Sequence, residues 1–407
     1  MKILFLMEYP IDLPGGGQLS TWTLCDGLVK QGLTPVVACP KLLGKRRTDF
    51  DFKIVEYKSD ENRERSKTAR IINFLSRIRS FRKIIRREKP DLIHVSMSES
   101  LITFGFLRCL GFFKNIPFVY TDRGLAYGYR RHSLMCIKAT MKRAAGMICT
   151  TQFNKDLWLQ KGIRVPVTVI PNTIGRAFDT YDDNKRGAMR IKYGIKENEF
   201  VIGFAGRISE EKDWDFVPVL VKALKDGIDR ENTGLKESGS AKQRAGTGAK
   251  RIKVALVISV YEEQDKEIVR GIKDKICDTI GEDNLIYMQD LSQEEIADYY
   301  YMVDAFVMSS MFESFGKAAV EAMSRKCAVL STSVGGLPEV IGKEENLYTK
   351  DDTDKFVKRI LELMNDRKEL DKDREFFYNR YRNLYTREIH VMRHVNLYRS
   401  ICGKQTL

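Results

Sequence analysis

The chain has 407 residues, enough for two domains of ordinary size, each with its own core. Its 43% hydrophobic and 10% aromatic content describes a folded globular protein, and no run reaches the roughly 18 apolar residues of a bilayer-spanning helix. The net charge of +14 is uneven: residues 1–175 hold 30 Lys and Arg against 14 Asp and Glu, and the remainder 39 against 41. Nucleic acid, an anionic membrane surface and phosphorylated substrates each suit such an asymmetry.

Lys2 to Met7 predicts a first strand, continuously apolar as in a parallel sheet buried on both faces. An acid and a proline follow too soon, and without a small-residue cleavage site, for a signal peptide. A glycine loop, Pro14-Gly15-Gly16-Gly17, leads to a helix over roughly Ser20 to Gln31, and Pro35 to Ala38 begins a second strand. Glycines between a first strand and a helix let backbone N–H groups approach an anion, although three glycines also make a plain flexible turn. Residues 63–89 hold 11 Lys and Arg against two acids, with Ile71, Phe74, Leu75, Ile78, Phe81, Ile84 and Ile85 at helical spacing. That predicts a helix with a core stripe and a basic remainder, either merely solvated or drawn to anionic headgroups.

Asp91 to Val95 reads as a third strand and holds a structural His94. The apolar segment Ser100 to Phe113 is a core helix or an aromatic surface element that dips into a membrane interface. Pro117 to Tyr120 then delivers Asp122 and Arg123 to a strand end, beside a basic segment, Tyr127 to Arg143. Strands at Gly146 to Thr150 and Val167 to Ile170 complete this half, and Gly175 to Arg190 reads as a polar linker. The second half opens with a strand, Phe200 to Ala205, followed by Gly206-Arg207 and Lys212. Ile228 to Arg251, rich in Gly, Ser, Lys and Thr, predicts a disordered insertion. Strands follow at Lys253 to Val260 and Asn284 to Met288, and the tail, Lys355 to Arg367 and Asp371 to Cys402, is helical in pattern. His390 and His394 have metal-ligand spacing, but no third ligand is in view. The eight cysteines are scattered without CxxC pairs, as expected of thiols in a reducing compartment.

The most informative stretch is Asp304 to Glu339, DAFVMSSMFESFGKAAVEAMSRKCAVLSTSVGGLPE. A strand, Ala305 to Met308, a loop with Glu313-Ser314-Phe315-Gly316, a helix from Lys317 to Ser324 and a strand, Ala328 to Leu330, make one βαβ unit. Glu313 and Glu321 stand eight positions apart at the strand exit and on the helix, and Gly335-Gly336 turns after the second strand.

The E-x7-E spacing, the FxSFG before the helix and the GGLPE after the strand together resemble glycosyltransferase family 4, retaining enzymes of the GT-B fold. The resemblance implies an α/β fold of two facing Rossmann-like domains with parallel sheets and an interdomain cleft. It implies an acceptor-binding domain over 1–175, a nucleotide-sugar domain over 176–384 and a C-terminal helix, 385–407, packing back on the first. Pro171-Asn172-Thr173 resembles the family's turn into the second domain. By this resemblance Arg207 and Lys212 hold the donor diphosphate, where leaving-group charge develops. Glu313 holds sugar hydroxyls, Glu321 the ribose, and the amides near Ser314, Phe315 and Gly316 the sugar-phosphate. Gly16 and Gly17 touch the donor phosphate or the acceptor. Asp122, standing where the family commonly has histidine, is the candidate for orienting or deprotonating the acceptor hydroxyl.

No cofactor is expected: the transfer is metal-independent, the nucleotide-sugar is a substrate, and a UDP-sugar is favoured over a GDP-sugar. The implied function is retaining transfer of a hexosyl or N-acetylhexosaminyl group to a membrane-associated, lipid-linked glycan in bacterial-type cell-surface polysaccharide synthesis. The basic first domain is expected on an anionic membrane at its cytoplasmic face, with no nucleic-acid partner because no recognition motif accompanies the charge. Asp213 follows Lys212 where the family usually has glycine; the missing histidine at Asp122 and two missing glycine turns, at Ser259-Val260-Tyr261-Glu262 and Gln289-Asp290-Leu291, leave an alternative: a weakened scaffold acting as a partner subunit.

Overall fold

Strand residues that are apolar on both faces need helices on both sides of the sheet, and each half of the chain builds this arrangement. The computed structural model describes residues 1–13, 15–44, 50–58, 67–237 and 251–403. These form two compact units, residues 1–175 with 385–407, and residues 176–384.

In the first unit β1 (Lys2–Leu6), α1 (Gly16–Lys30), β2 (Thr34–Pro40), β3 (Lys53–Tyr57), α2 (Lys67–Glu88), β4 (Leu92–Val95) and α3 (Ser98–Cys109) follow in order. Then come β5 (Phe118–Asp122), α4 (Arg131–Met141), β6 (Gly146–Cys149), α5 (Gln152–Gln160) and β7 (Val167–Val169). The strands are parallel in the order β3-β2-β1-β4-β5-β6-β7.

The second unit runs α6 (Asp183–Lys192), β8 (Glu199–Arg207), α7 (Phe216–Glu237), β9 (Arg251–Ser259), α8 (Glu263–Ile280), β10 (Leu285–Gln289), α9 (Gln293–Met302) and β11 (Ala305–Met308). It continues with α10 (Lys317–Met323), β12 (Ala328–Thr332), α11 (Leu337–Ile341), β13 (Leu347–Tyr348), α12 (Thr353–Asn365) and α13 (Arg367–Leu384). Its parallel order is β10-β9-β8-β11-β12-β13. Both sheets therefore reverse winding direction once, at β1/β4 and at β8/β11, and ligand crevices open outside the strand ends at such switch points.

The last helix, α14 (Arg387–Ile401), belongs to the first unit and packs on α1. Gly27 permits this, because a Cβ there would meet Val391 Cγ2 at 2.2 Å. His94, His394 and Tyr398 fill the space beneath. His94 bridges Tyr398 Oη (2.5 Å) and Thr121 Oγ1 (2.6 Å), and it stacks on His394 at 6.0 Å. His390 and His394 are buried in this core, with Nδ1 of each facing a backbone carbonyl.

Several expectations are corrected. The glycine run is not a loop: α1 starts at Gly16, and the hydroxyls of Ser20 and Thr21 bond back to the carbonyls of Gly16 and Gly17. Strand β3 gives no continuous apolar signal, since it lies at a sheet edge and is half exposed. The segment 175–190 is not a passive linker. It contains the start of α6, whose Arg186 and Arg190 reach the buried carboxylate of Asp304 at 2.5 and 3.1 Å. Helix α7 runs to Glu237, well into the expected insertion, of which residues 238–250 lie outside the described residues, as do residues 63–66 of the basic stretch.

Asp304 also takes Arg374 of α13 at 2.5 Å and the amide of Val201 in β8 at 2.8 Å. Burial pushes its carboxyl up, but the three guanidiniums outweigh this and hold it below the usual carboxylate range. Replacing Asp304 by Ala leaves three cations without their counter-ion and should cost about 3–5 kcal/mol, read as a lowered urea midpoint. A second expectation concerns pH. Burial holds the His394 imidazole down to about 4 and lowers that of His94, with Arg123 adding to both. The unfolded chain then takes up protons that the folded chain refuses. Stability should be full above the usual imidazole value and fall by about 1.4 kcal/mol per pH unit per histidine as pH drops toward about 4. A His394→Phe variant should show a shallower fall of Tm over the same window.

Candidate functional site

At the β8/β11 switch point the candidate donor residues converge on three loops. Arg207 ends β8, half exposed, with Nη2 2.9 Å from Glu211 Oε2. Lys212 follows on one turn of 3-10 helix and places Nζ 2.5 Å from Glu313 Oε2, in the loop after β11. The β8 loop is sewn to the β11 loop by the Met311 amide on the Glu211 carbonyl (2.8 Å) and by Ser309 Oγ on the Lys212 carbonyl (2.8 Å). Trp214 Nε1 donates to the Arg207 carbonyl at 2.7 Å. Neither Ser309 nor Trp214 carries a sequence motif that signals these contacts.

The third loop, Gly335-Gly336 after β12, fixes Glu313. The Gly336 amide donates to the Glu313 carbonyl at 2.9 Å, and a Cβ on Gly335 would sit 2.1 Å from that oxygen. Gly335 also has φ +56°, a conformation that only glycine takes freely. Gly316, at φ +88°, caps α10, and a Cβ on it would meet Leu337 Cδ2 at 2.5 Å. This close contact explains why FG in one loop and GGLP in the other occur together. Phe315 is buried, and Ser314 and Glu313 are half-buried. Glu321, one helix face along, accepts from Tyr300 Oη at 3.3 Å. Burial raises its carboxyl above the usual range, with Lys317 and that hydroxyl pulling it part of the way back.

Two of the departures from glycine, Asp213 and Asp290, keep glycine geometry. Asp213 has φ 49° and ψ 56°, the left-handed region that aspartate tolerates better than most residues, and its carboxylate pairs with Lys350. Asp290 has φ 52°, and its Oδ1 takes the Val260 amide at 2.8 Å. Both turns survive without glycine.

The first-unit candidates form a separate group. Gly16 and Gly17 begin α1, and Gly17 faces Met97 and Arg123, which a Cβ there would reach at 3.5 and 3.9 Å. Arg123 is half-buried with Nη1 3.4 Å from the Ser96 carbonyl, and desolvation lowers its guanidinium to about 10. Asp122 is corrected as a candidate base. It is 1% exposed, and four donors occupy its oxygens: Tyr129 Oη at 2.6 Å, Tyr120 Oη at 3.1 Å, Trp158 Nε1 at 2.8 Å and Asn154 Nδ2 at 3.0 Å. A carboxylate so saturated anchors α5 and the 126–129 turn to the strand end, with no lone pair offered to a hydroxyl. Among the described residues no three His, Cys, Asp or Glu side chains converge as a metal site.

Two family models match, one on each half: "Glycosyltransferase Family 4" over residues 14–177 and "Glycosyl transferases group 1" over residues 185–382. The lipopolysaccharide 1,2-N-acetylglucosaminetransferase of Salmonella typhimurium is 27% identical over 201 residues, 48% of this chain and 46% of that protein. The chain spans less than half the length of the curated relatives it matches first. Among solved structures, Anabaena HepE in complex with UDP and glucose superposes with a TM-score of 0.74 at 16% identity, covering 98% of this chain and 100% of that one. Sucrose-phosphate synthase from Thermosynechococcus elongatus gives 0.79, also at 16% identity, over 99% and 100%.

Gly335→Ala should be among the most damaging small changes in the second unit, because the new methyl must displace the Glu313 backbone. The expected cost is about 1–3 kcal/mol from strain and overpacking, seen as a lower Tm, whereas Gly271→Ala in α8, where a Cβ meets nothing within 4 Å, should be neutral or slightly stabilising.

Proposed function

The chain belongs to the GT-B glycosyltransferases of family 4 type, and on that premise we propose that it moves a sugar from a nucleotide-sugar to an acceptor hydroxyl with retention of anomeric configuration. The observation that carries this reading is the Arg207, Lys212 and Glu313 cluster at the β8/β11 switch point. The donor's bond from the anomeric carbon to the diphosphate breaks with its electron pair going to the phosphate oxygen. Arg207 and Lys212 stabilise that charge, the acceptor oxygen bonds to the same face of the sugar, and its proton leaves with the phosphate. Glu313 receives sugar hydroxyls, Glu321 the ribose, and the Ser314 to Gly316 loop borders the sugar-phosphate. In the first unit Gly16 and Gly17 touch the donor phosphate or the acceptor.

Two fixed cations supply what a divalent metal supplies elsewhere, so transfer proceeds without one. UDP-sugars are the preferred donors, a choice supported by the UDP held in the HepE structure. The lipopolysaccharide N-acetylglucosaminetransferase relative and the basic first half support a lipid-linked glycan acceptor in cell-surface polysaccharide assembly. The enzyme then works peripherally at the cytoplasmic face of a membrane; among the described residues no helix is long and apolar enough to cross one.

Lys212 and Glu313 pair with each other. Glu313→Gln frees Lys212, so UDP should bind at least as tightly to this variant while sugar release from UDP-sugar falls at least 100-fold. Arg207→Ala should weaken UDP and lower turnover together. EDTA should leave the rate unchanged, and NMR should show the released sugar in the donor's anomeric configuration. Inverted product, or full activity in Glu313→Gln, would overturn the assignment.

A further inference from the structure

Residues 71, 74, 75, 78, 81, 84 and 85 predict one core stripe on α2, and the structure divides that stripe. Phe81, Ile84 and Ile85 are buried and Phe74 and Ile78 half-buried, but Ile71, Ile72 and Leu75 are 60%, 63% and 46% exposed. At about 100° per residue, Ile71, Ile72, Leu75, Arg79, Arg82, Lys83 and Arg86 fall within one arc of about 120°, opposite Asn73, Arg77, Phe81 and Ile84. All seven are exposed. One outward face is therefore apolar over its first turns and cationic over its last.

Helix α3 extends the apolar end: Phe106 is 44% exposed and meets Phe74 edge-on at 5.7 Å, and Leu110, just past the helix, is 57% exposed. At the cationic end an open groove of about 560 Å³ is lined by Arg79, Arg82, Lys83, Arg86 and Arg87. Arg82 and Arg86 lie over the Phe112 ring at 4.3 and 5.7 Å, which braces both guanidiniums. Glu88, the acid of α2, is buried and spent on Lys53 and Arg87. Among the described residues Arg79, Arg82, Lys83 and Arg86 take part in no ion pair, so no carboxylate there offsets the field of this face.

We propose that this face of α2, with the end of α3, docks the chain on an anionic lipid bilayer. The cations meet headgroup phosphates, and Ile71, Ile72, Leu75, Phe106 and Leu110 enter the headgroup–acyl boundary. A soluble polyanion would use the cations and leave the adjoining apolar residues in water; a bilayer surface uses both, and stable peripheral binding generally needs two such signals. The docking gives a surface to the membrane-side acceptor of the proposed function and rests on that reading for its purpose alone.

The test is co-sedimentation of the full chain with phosphatidylcholine vesicles, with and without phosphatidylglycerol. Partitioning should be at least tenfold stronger on the anionic vesicles and should weaken as salt is raised. Arg82→Glu with Arg86→Glu, and separately Ile72→Ser with Leu75→Ser, should each lower it about tenfold with unchanged Tm, since all four positions are exposed. Arg230→Glu with Lys358→Glu, on the second unit, should leave it unchanged. Equal binding to neutral vesicles, wild-type binding by either α2 variant, or a loss as large in the second-unit variant would overturn the proposal. Wild-type binding by Ile72→Ser with Leu75→Ser, together with full competition by inorganic polyphosphate, would make the site one for soluble polyanions. UDP-sugar hydrolysis is measured on the same samples. Docking without hydrolysis would contradict the transferase reading alone, and hydrolysis without docking would contradict this proposal alone.

Discussion

The second unit depends on one buried carboxylate. Asp304 sits at the start of β11 with Arg186, Arg190 and Arg374 around it, drawn from α6 and α13. Its side chain holds the Val201 amide of β8, and its own carbonyl receives the Ala328 amide of β12. Three adjacent strands are thereby set in register at the end opposite the candidate site. Such a cluster is worth little as net attraction, because desolvation offsets it; its consequence is that the strands cannot slide without exposing an unpaired charge to a dry interior. The exits of β8, β11 and β12, and so the loops that carry Arg207, Glu313 and Gly335, inherit that registry.

From there the site is assembled by backbone contacts more than by side chains. The amides of Met311 and Gly336 and the Ser309 hydroxyl stitch three loops together, leaving Arg207, Lys212 and Glu313 as the charged groups at the strand ends. The glycines of FG and GGLP are spacing requirements of this stitching. Where glycine would be expected and aspartate stands, at Asp213 and Asp290, the side chain bonds locally and the left-handed turn is kept. At these two positions the substitution therefore does not deform the turn. Asp122 is the opposite case: a carboxylate placed like a catalytic group at a strand end, yet spent on holding its own unit together.

The fold was legible wherever local pattern and tertiary role coincide. Continuously apolar β1, β8 and β11 and the glycine turn after β12 announce a doubly wound sheet, and the Glu313 to Glu321 spacing marks the strand exit to examine. What stayed hidden has long-range causes. Arg186 and Arg190 look like linker charges until Asp304, more than a hundred residues later, is brought against them. The α2 stripe reads as core because spacing reports that a face exists and not how much of it a neighbour covers. Asp122 looked available because two of its four donors, Asn154 and Trp158, come from more than thirty residues further along the chain. Asp213 showed as a missing glycine because a one-letter code records the residue and not its φ.

We propose that the β8/β11 switch point is a live nucleotide-sugar site. Thermal shift with UDP, GDP, ADP and their common sugars, on the wild type and on Arg207→Ala, tests it most directly, because a ligand that binds the folded state raises Tm by mass action. A rise with uridine nucleotides that Arg207→Ala removes is the expected result. No rise with any nucleotide, or one that Arg207→Ala leaves intact, would contradict it.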